Sequence, residues 1–382
     1  MIRVLQVYRT YFPDTQGGLE EVIRQICRQD SDDIQIRVVT LSPAVKKVEL
    51  IHYEGVEVYR LPLAFEIASC SIALKGIGLF RRLVAETDIV HYHYPWPFGD
   101  VLYSLFSSHK PSVLTYHSDI IRQKWLKRFY KPLKHYFLSG MDAVVATSPN
   151  YLESSDTLKQ HASKVRVIPI GLGEEQVEFN DECLQHYSLE PEKFFLFVGV
   201  LRYYKGLDIL LRAAVNAEYK IVIVGAGPEE NNLKRLAKEL GLKNVVFTGY
   251  QPDNIKNALL KHCRGVVLPS YYRSEAFGVF LLEGAKNCKP LVSAEIGTGM
   301  SYINIHQETG FCVEPNDAKS LRSAMDQLYN NSDKAKVMGF NARKRFEELF
   351  SAGQMTNAYG QLYREIYSSR FPGREVELLD LS

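Results

Sequence analysis

The strongest constraint on how this chain folds is an alternation that occurs twice. Short, nearly continuous Val/Ile/Leu/Phe runs are separated by segments of helical spacing. In the first half the runs Ile2–Tyr8, Ile34–Thr40, Ile89–Tyr94, Ser112–Tyr116, Ala143–Thr147 and Val165–Ile168 read as strands. The pattern restarts at Phe194–Leu201 and continues through Lys220–Val224, Val245–Thr248, Gly265–Pro269 and Pro290–Ser293. Runs of this kind suit parallel strands covered by helices on both faces. The polar, acidic stretch Gly171–Lys193 reads as a linker. The expectation is an α/β chain of two similar αβα halves, and 382 residues suffice for two cores of ordinary size.

Composition removes several classes of function. With 46% hydrophobic and 24% charged residues the chain is globular rather than disordered. A formal net charge of +2 gives no ground for a nucleic-acid partner. The cysteines Cys27, Cys70, Cys183, Cys263, Cys288 and Cys312 are scattered, without a C-x-x-C pair, so neither a zinc site nor a disulfide framework is expected. The N-terminal run enters a strand directly, without a secretory leader, and no stretch reaches the roughly 18 continuous apolar residues of a membrane span. A cytoplasmic protein, soluble or peripheral at the inner membrane, is expected. Asp30-Ser31-Asp32 precedes a strand and reads as a turn, and His91-x-His93 has no third ligand nearby, so no metal is expected.

In open parallel sheets ligands bind beyond the carboxyl ends of the strands. Unusual residues gather there. Pro13-Asp14-Thr15-Gln16-Gly17-Gly18 follows the first strand and opens a helix, where glycines let backbone N–H groups approach an anion; an ordinary strand-to-helix turn has the same look. In Gly199-Val200-Leu201-Arg202-Tyr203-Tyr204-Lys205-Gly206 two cations stand before an apolar helix, a placement suited to a diphosphate. Gly225-Ala226-Gly227-Pro228-Glu229-Glu230 begins like a dinucleotide loop, but Glu230 occupies the third glycine position. It remains a plausible turn beside a nucleotide.

The most specific stretch is Pro269-Ser270-Tyr271-Tyr272-Arg273-Ser274-Glu275-Ala276-Phe277-Gly278-Val279, which leads into a helix carrying Glu283. Glu275 falls in the loop, positioned for sugar hydroxyls, while Glu283 falls about two turns into the helix, positioned for a ribose. N–H groups around Phe277–Val279 are free for phosphate oxygens. His117, at a strand's carboxyl end, is as fit to contact a ligand as to serve structure. The segment from Asp119 to Ser139 carries Arg122, Lys124, Lys127, Arg128, Lys131 and Lys134 among aromatic and aliphatic residues. It suits an anionic membrane surface, a phosphate, or a core-packed helix with a solvated basic face, and Pro132 is expected to kink or break it.

Taken together these motifs resemble the retaining glycosyltransferases of family 4. The Glu275-x7-Glu283 spacing enclosing Phe277-Gly278 carries most of the likeness, and the Gly17-Gly18, His117, Lys205-Gly206 and Gly225-x-Gly227 elements fall in the order of that family. The resemblance implies a GT-B fold: two Rossmann-like domains, 1–175 and 190–351, facing across a cleft, with a C-terminal helix at 352–370 returning to the first. It implies that Gly17, Gly18, Gly227, Ser270, Phe277, Gly278, Val279 and Glu283 bind a nucleotide diphosphate sugar, with His117 at the sugar, Arg202 and Lys205 at the departing diphosphate and Glu275 at the sugar hydroxyls. No cofactor or metal is implied. One departure is Val200, where the family often carries arginine; Arg202, two residues on, is placed to reach the same phosphates.

The stretches His93-Tyr94-Pro95-Trp96-Pro97-Phe98, Tyr116-His117-Ser118-Asp119 and Ala146-Thr147-Ser148-Pro149-Asn150-Tyr151 are similar to bacterial mannosyl- and rhamnosyltransferases of O-antigen or related surface-polysaccharide assembly. That similarity implies GDP-mannose as donor and a lipid-diphosphate-linked saccharide as acceptor, with His93 and the basic helix on the acceptor side. The alternatives are a UDP-sugar donor, or a non-catalytic sugar-nucleotide-binding subunit.

Overall fold

A computed structural model describes residues 1–28, 31–67, 70–119, 124–174 and 178–373, without the side chains of 124–129. The chain divides into two compact units, one of residues 1–147, 155–173 and 352–382, the other of 148–154 and 174–351. Ser148–Ser154, which the sequence assigns to the first half, falls with the second unit. Its buried Tyr151 lies under the Arg273 guanidinium at 5.2 Å, and Ser154 Oγ donates to Gly297 O at 2.6 Å.

The first unit is built on strands β1 (Ile2–Val7), β2 (Ile34–Ser42), β3 (Glu49–Tyr53) and β4 (Val56–Pro62), a small pair β5 (Phe65–Ile67) and β6 (Cys70–Ile72), then β7 (Ile89–Tyr94), β8 (Ser112–Tyr116), β9 (Ala143–Ala146) and β10 (Val165–Val167). Its main sheet runs β10-β9-β8-β7-β1-β2-β4-β3, parallel except where β3 meets β4. That antiparallel edge is absent from the sequence-based expectation. Glu54 and Gly55, both at positive φ, form the two-residue turn that joins β3 to β4, as tight hairpins require.

The second unit holds β11 (Phe194–Val198), β12 (Lys220–Val224), β13 (Val245–Gly249), β14 (Gly265–Leu268), β15 (Leu291–Ala294) and β16 (Gly310–Val313). All pairings are parallel in the order β13-β12-β11-β14-β15-β16. With β11 counted as one, this is the 3-2-1-4-5-6 order of doubly wound nucleotide-binding sheets. Its reversal point lies between β11 and β14. The 171–193 stretch is not all linker, since it contains the helix Glu182–His186.

The C-terminal helix Ala352–Arg370 belongs to the first unit and packs on β1 and the helix Gly18–Cys27. Met355, Tyr359, Leu362 and Tyr363 are buried on its inner face. Arg364 grips Asp33 with two bonds of 2.7 Å, and the guanidinium, with help from Ser31, holds the Asp33 carboxyl at about 2. A carboxylate depressed this way stabilises the fold above its unfolded value of about 3.9 and loses that contribution as pH falls towards 2. Because Arg364 is 42% exposed, the effect is discounted to roughly 1 kcal/mol or less. Arg364→Ala is expected to lower the melting temperature at pH 7, with the difference from wild type shrinking steadily below pH 4. A pH series of thermal melts checks this, and a pH-independent difference would remove the ion pair as its source.

Candidate active site

The reversal point of the second sheet is where the charged residues meet. The turn after β11 continues through the 3-10 segment Tyr203–Lys205 into the helix Leu207–Ala213. Gly206 sits at φ +70°, and a Cβ there would fall 2.0 Å from Pro269 O. This glycine therefore lets the Lys205 turn lie directly against the backbone that follows β14. Lys205 Nζ forms an ion pair with Glu275 Oε2, and Ser270 Oγ donates to the same oxygen at 3.3 Å. Burial pushes the Lys205 ammonium towards neutrality, but the adjacent Glu275 carboxylate outweighs it and raises the net value. Lys205 is charged at neutral pH. An ammonium has three protons, so its bond to Glu275 leaves two for other acceptors.

Arg202, just upstream, is exposed and has no ion-pair partner among the described residues. Gly225 and Gly227 shape the neighbouring loop. Leu201 N donates to Ala226 O at 3.0 Å and Glu229 N to Leu201 O at 3.1 Å. A Cβ on Gly227 would lie 2.5 Å from Leu201 O. Gly227 thus has a structural reason to be glycine, in the backbone-to-backbone packing of two loops.

After β14 the chain passes Ser270 and Glu275 and enters the helix Val279–Lys286 through Gly278, which caps it at φ +91°. Phe277 is buried. The N–H groups of Phe277, Gly278, Val279 and Phe280 have no acceptor among the described residues, which gives this helix start the donors an anion needs. Glu283 is the fifth helical residue, one turn in rather than two, and Lys256 Nζ lies 3.7 Å from its Oε2. Lys256 is a contact that sequence reasoning missed.

In the first unit Gly17 and Gly18 are exposed where the helix Gly18–Cys27 begins. Gly17 has extended backbone, and a Cβ there would meet only the flexible Glu20 carboxylate. The preceding loop is tied down by Arg60 of β4, which donates through Nε to Asp14 Oδ2 at 2.9 Å.

His117 follows β8 and is buried, its N–H donating to Tyr94 O at 3.0 Å. His117 Nε2 lies 3.0 Å from His93 Nδ1, and His93 Nε2 lies 2.8 Å from Gln6 Oε1. Gln6 Nε2 donates to the Tyr363 hydroxyl at 3.1 Å, which meets His91 Nδ1 at 2.7 Å. His91 Nε2 meets Thr115 Oγ1 at 2.7 Å, and Thr115 Oγ1 meets the Tyr359 hydroxyl at 2.8 Å. Burial depresses His91 and His117 to about 3 and His93 well below its usual value. All three imidazoles are neutral at pH 7. His93, expected on the acceptor side, is a fully enclosed member of this chain. The sequence signal for the network is the presence of Gln6, His91, His93 and Thr115 inside otherwise apolar strands, because buried polar groups need partners.

The basic helix spans Lys124–Gly140 and runs through Pro132 without ending. Lys131 is exposed, and Tyr130 OH donates to the buried Asp100 carboxyl. Arg122 and the side chains of Lys124, Lys127 and Arg128 lie outside the described residues, as does Asp30. No described helix is long and apolar enough to cross a membrane.

Comparison with known proteins agrees with this geometry. A family model described as "Glycosyltransferase Family 4" matches residues 16–176, and one described as "Glycosyl transferases group 1" matches residues 152–345. The chain is 45% identical over 371 residues to the O-antigen chain mannosyltransferase C of Escherichia coli, covering 97% of this chain and 100% of that protein. It is 47% identical over 355 residues to the D-rhamnosyltransferase WbpZ of Pseudomonas aeruginosa, covering 92% and 93%. Among solved structures, the sucrose-phosphate synthase of Thermosynechococcus elongatus has the same fold, with a TM-score of 0.78 at 20% identity over 97% of this chain and 100% of that one. A glycosyltransferase from Rickettsia africae gives a TM-score of 0.72 at 20% identity over 96% and 98%. The sheet order, the glycine-shaped loops, the Glu275-x7-Glu283 helix start and two near-full-length relatives above 40% identity lead to one conclusion: the chain is a glycosyltransferase of family 4, with the GT-B fold.

Proposed function

We propose that this enzyme transfers mannose from GDP-mannose, with retention and without metal, to a lipid-diphosphate-linked saccharide in O-antigen or related surface-polysaccharide assembly. The observation that carries this reading is the near-full-length identity to an O-antigen chain mannosyltransferase. In the reaction the bond from the sugar C1 to the phosphate oxygen breaks, and the bond from C1 to the acceptor oxygen forms on the same face. The acceptor's proton passes to the departing diphosphate. Lys205 and Arg202 carry the charge that develops on that diphosphate, assisted by the helix start at Phe277–Val279, and such stabilisation is usually the largest catalytic contribution. Glu275 accepts from sugar hydroxyls while holding Lys205 charged, Glu283 accepts from the ribose, and Gly17 and Gly18 let the backbone approach the phosphates. His117 contacts the sugar.

The similarity to a D-rhamnosyltransferase favours a second reading, in which the donor sugar is D-rhamnose on the same nucleotide. A panel of sugar nucleotides, assayed for nucleotide release in EDTA with and without a GlcNAc-diphosphate-lipid analogue, tests both. Acceptor-dependent GDP release from GDP-mannose supports the first; release of UDP instead, from a UDP-sugar, discards the GDP donor. The basic helix would meet the cytoplasmic face of an anionic membrane, where each cation near the surface contributes about 1 kcal/mol. Replacing Lys127, Arg128 and Lys131 with Ser is expected to release the enzyme from phosphatidylglycerol vesicles in a sedimentation assay. Unchanged sedimentation would discard the membrane surface as a partner of this helix.

A further inference from the structure

A network of six side chains runs from His117 into the C-terminal helix, and the reaction proposed above uses none of them. Gln6, His91, His93 and Thr115 come from β1, β7 and β8, where Gln6 pairs with His91 and His93 with Thr115 in register. Tyr359 and Tyr363 come from the helix Ala352–Arg370. We propose that the Tyr363–Gln6–His93 chain fixes the tautomer of His117, tying its Nε2 proton inward and presenting Nδ1 as an acceptor for a hydroxyl of the bound sugar. The identity of the ligand rests on the functional reading above; the tautomer does not.

A neutral imidazole has one donor and one acceptor nitrogen, and which is which is set by its neighbours. Gln6 is the member that gives the chain a direction, because its amide has one end that only accepts and one that only donates. Its Nε2 donates to Tyr363 and its Oε1 faces His93 Nε2. That oxygen accepts, so His93 carries its proton on Nε2. His93 Nδ1 is then an acceptor, and the His117 Nε2 facing it at 3.0 Å must be the donor. Nδ1 is the ring nitrogen of His117 left without a partner among the described residues, and it accepts.

On the other side Tyr363 receives the Gln6 proton and passes its own to His91 Nδ1. Reversing the Gln6 amide would reverse every bond between them. The neutrality of all three histidines, each depressed by burial, keeps the direction from being scrambled by an added proton. A histidine fixed as acceptor selects a ligand hydroxyl that donates, which is a restriction on the sugar's orientation. Gln6, His93 and Tyr363 are in this sense positioning residues, 357 positions separating Gln6 from Tyr363 in the chain.

The test is a long-range 1H–15N correlation spectrum of 15N-histidine-labelled enzyme at pH 7, which reads the protonated nitrogen of each ring directly. The expected result is His117 protonated at Nε2. Tyr363→Phe removes only the hydroxyl that anchors the Gln6 amide, and Gln6→Met removes the amide at nearly constant volume, so one variant serves if the other folds poorly. In each, His117 is expected to become a mixture of tautomers, and KM for the sugar nucleotide to rise about tenfold, the loss of one directed hydrogen bond, with kcat falling less. A wild-type His117 protonated at Nδ1, or a tautomer unchanged in both variants, overturns the chain itself. A shifted tautomer with unchanged KM overturns the contact between His117 and the sugar.

Discussion

Lys205→Ala is expected to lower the rate of sugar transfer at least a hundredfold while the protein remains folded. Removing a single preorganised stabiliser of developing charge typically costs a factor of about 10² to 10³, and Lys205 is a cation held in place at the reversal point of the second sheet. Its side chain is 14% exposed and its ammonium pairs with Glu275. The change also strips a carboxylate of its partner, so Glu275, itself 12% exposed, becomes costly where it stands. Glu275→Gln keeps the shape and the hydrogen-bonding oxygen but removes the charge that keeps Lys205 protonated. It is expected to cost at least tenfold, with the larger part in kcat/KM. Steady-state kinetics with circular dichroism as a folding control checks both. Near-wild-type kinetics in folded Lys205→Ala would mean that the ion pair is only structural.

The second large effect concerns a residue with no side chain. Gly206→Ala places a Cβ 2.0 Å from Pro269 O at a φ of +70°, so backbone must move to admit it. The left-handed conformation alone costs an alanine roughly 1–2 kcal/mol, and forced overpacking adds about 1–3 kcal/mol. The expected result is a melting temperature lower by roughly 5–10 °C and transfer reduced more than a hundredfold, because the turn that carries Lys205 is pushed away from Ser270 and Glu275. Gly241→Ala is the matched control. Its φ is +65° with no atom within 4 Å of the added Cβ, so it incurs the conformational cost without the collision and keeps its activity. Equal losses in both variants would show that the close approach at Pro269 does not position Lys205.

These cases show what was readable before the structure. The parallel strands were legible because short runs rich in aliphatic and aromatic residues alternate with segments of helical spacing, and the bounds of β7, β8 and β12 match those runs. The Lys205 turn and the Glu275-x7-Glu283 segment were legible because each is local, a strand end followed by a helix start. What was missed depends on contacts between distant positions. Ser154 joins the second unit through Gly297, 143 residues later, and Tyr363 meets His91 across 272. The hairpin of β3 and β4 was missed for a different reason. Its turn is Glu54-Gly55, which lacks the asparagine or aspartate that marks the commonest two-residue turns. That omission hid Arg60, the residue that secures the Gly17-Gly18 loop through Asp14.

His91 and His93 are the instructive case. Read alone, two histidines at alternate positions suggest a metal. In the fold they stack at 4.5 Å on one face of β7, and their nitrogens are taken up by Gln6, Thr115, Tyr363 and His117. The polar residues inside the strands were visible in the sequence. Their partners on a helix at the other end of the chain were not.

Transfer with retention and without metal, proposed above for the site of Lys205 and Glu275, is tested most directly by the anomeric configuration of the product. Wild-type enzyme would be incubated with GDP-mannose, a lipid-diphosphate-linked saccharide and EDTA, and the product examined by NMR for the configuration at the transferred sugar's C1. The expected result is an α-linked mannosyl product, like the donor, formed with one GDP released per sugar and suppressed in Lys205→Ala. A β-linked product, or transfer that EDTA abolishes and a divalent cation restores, would contradict it.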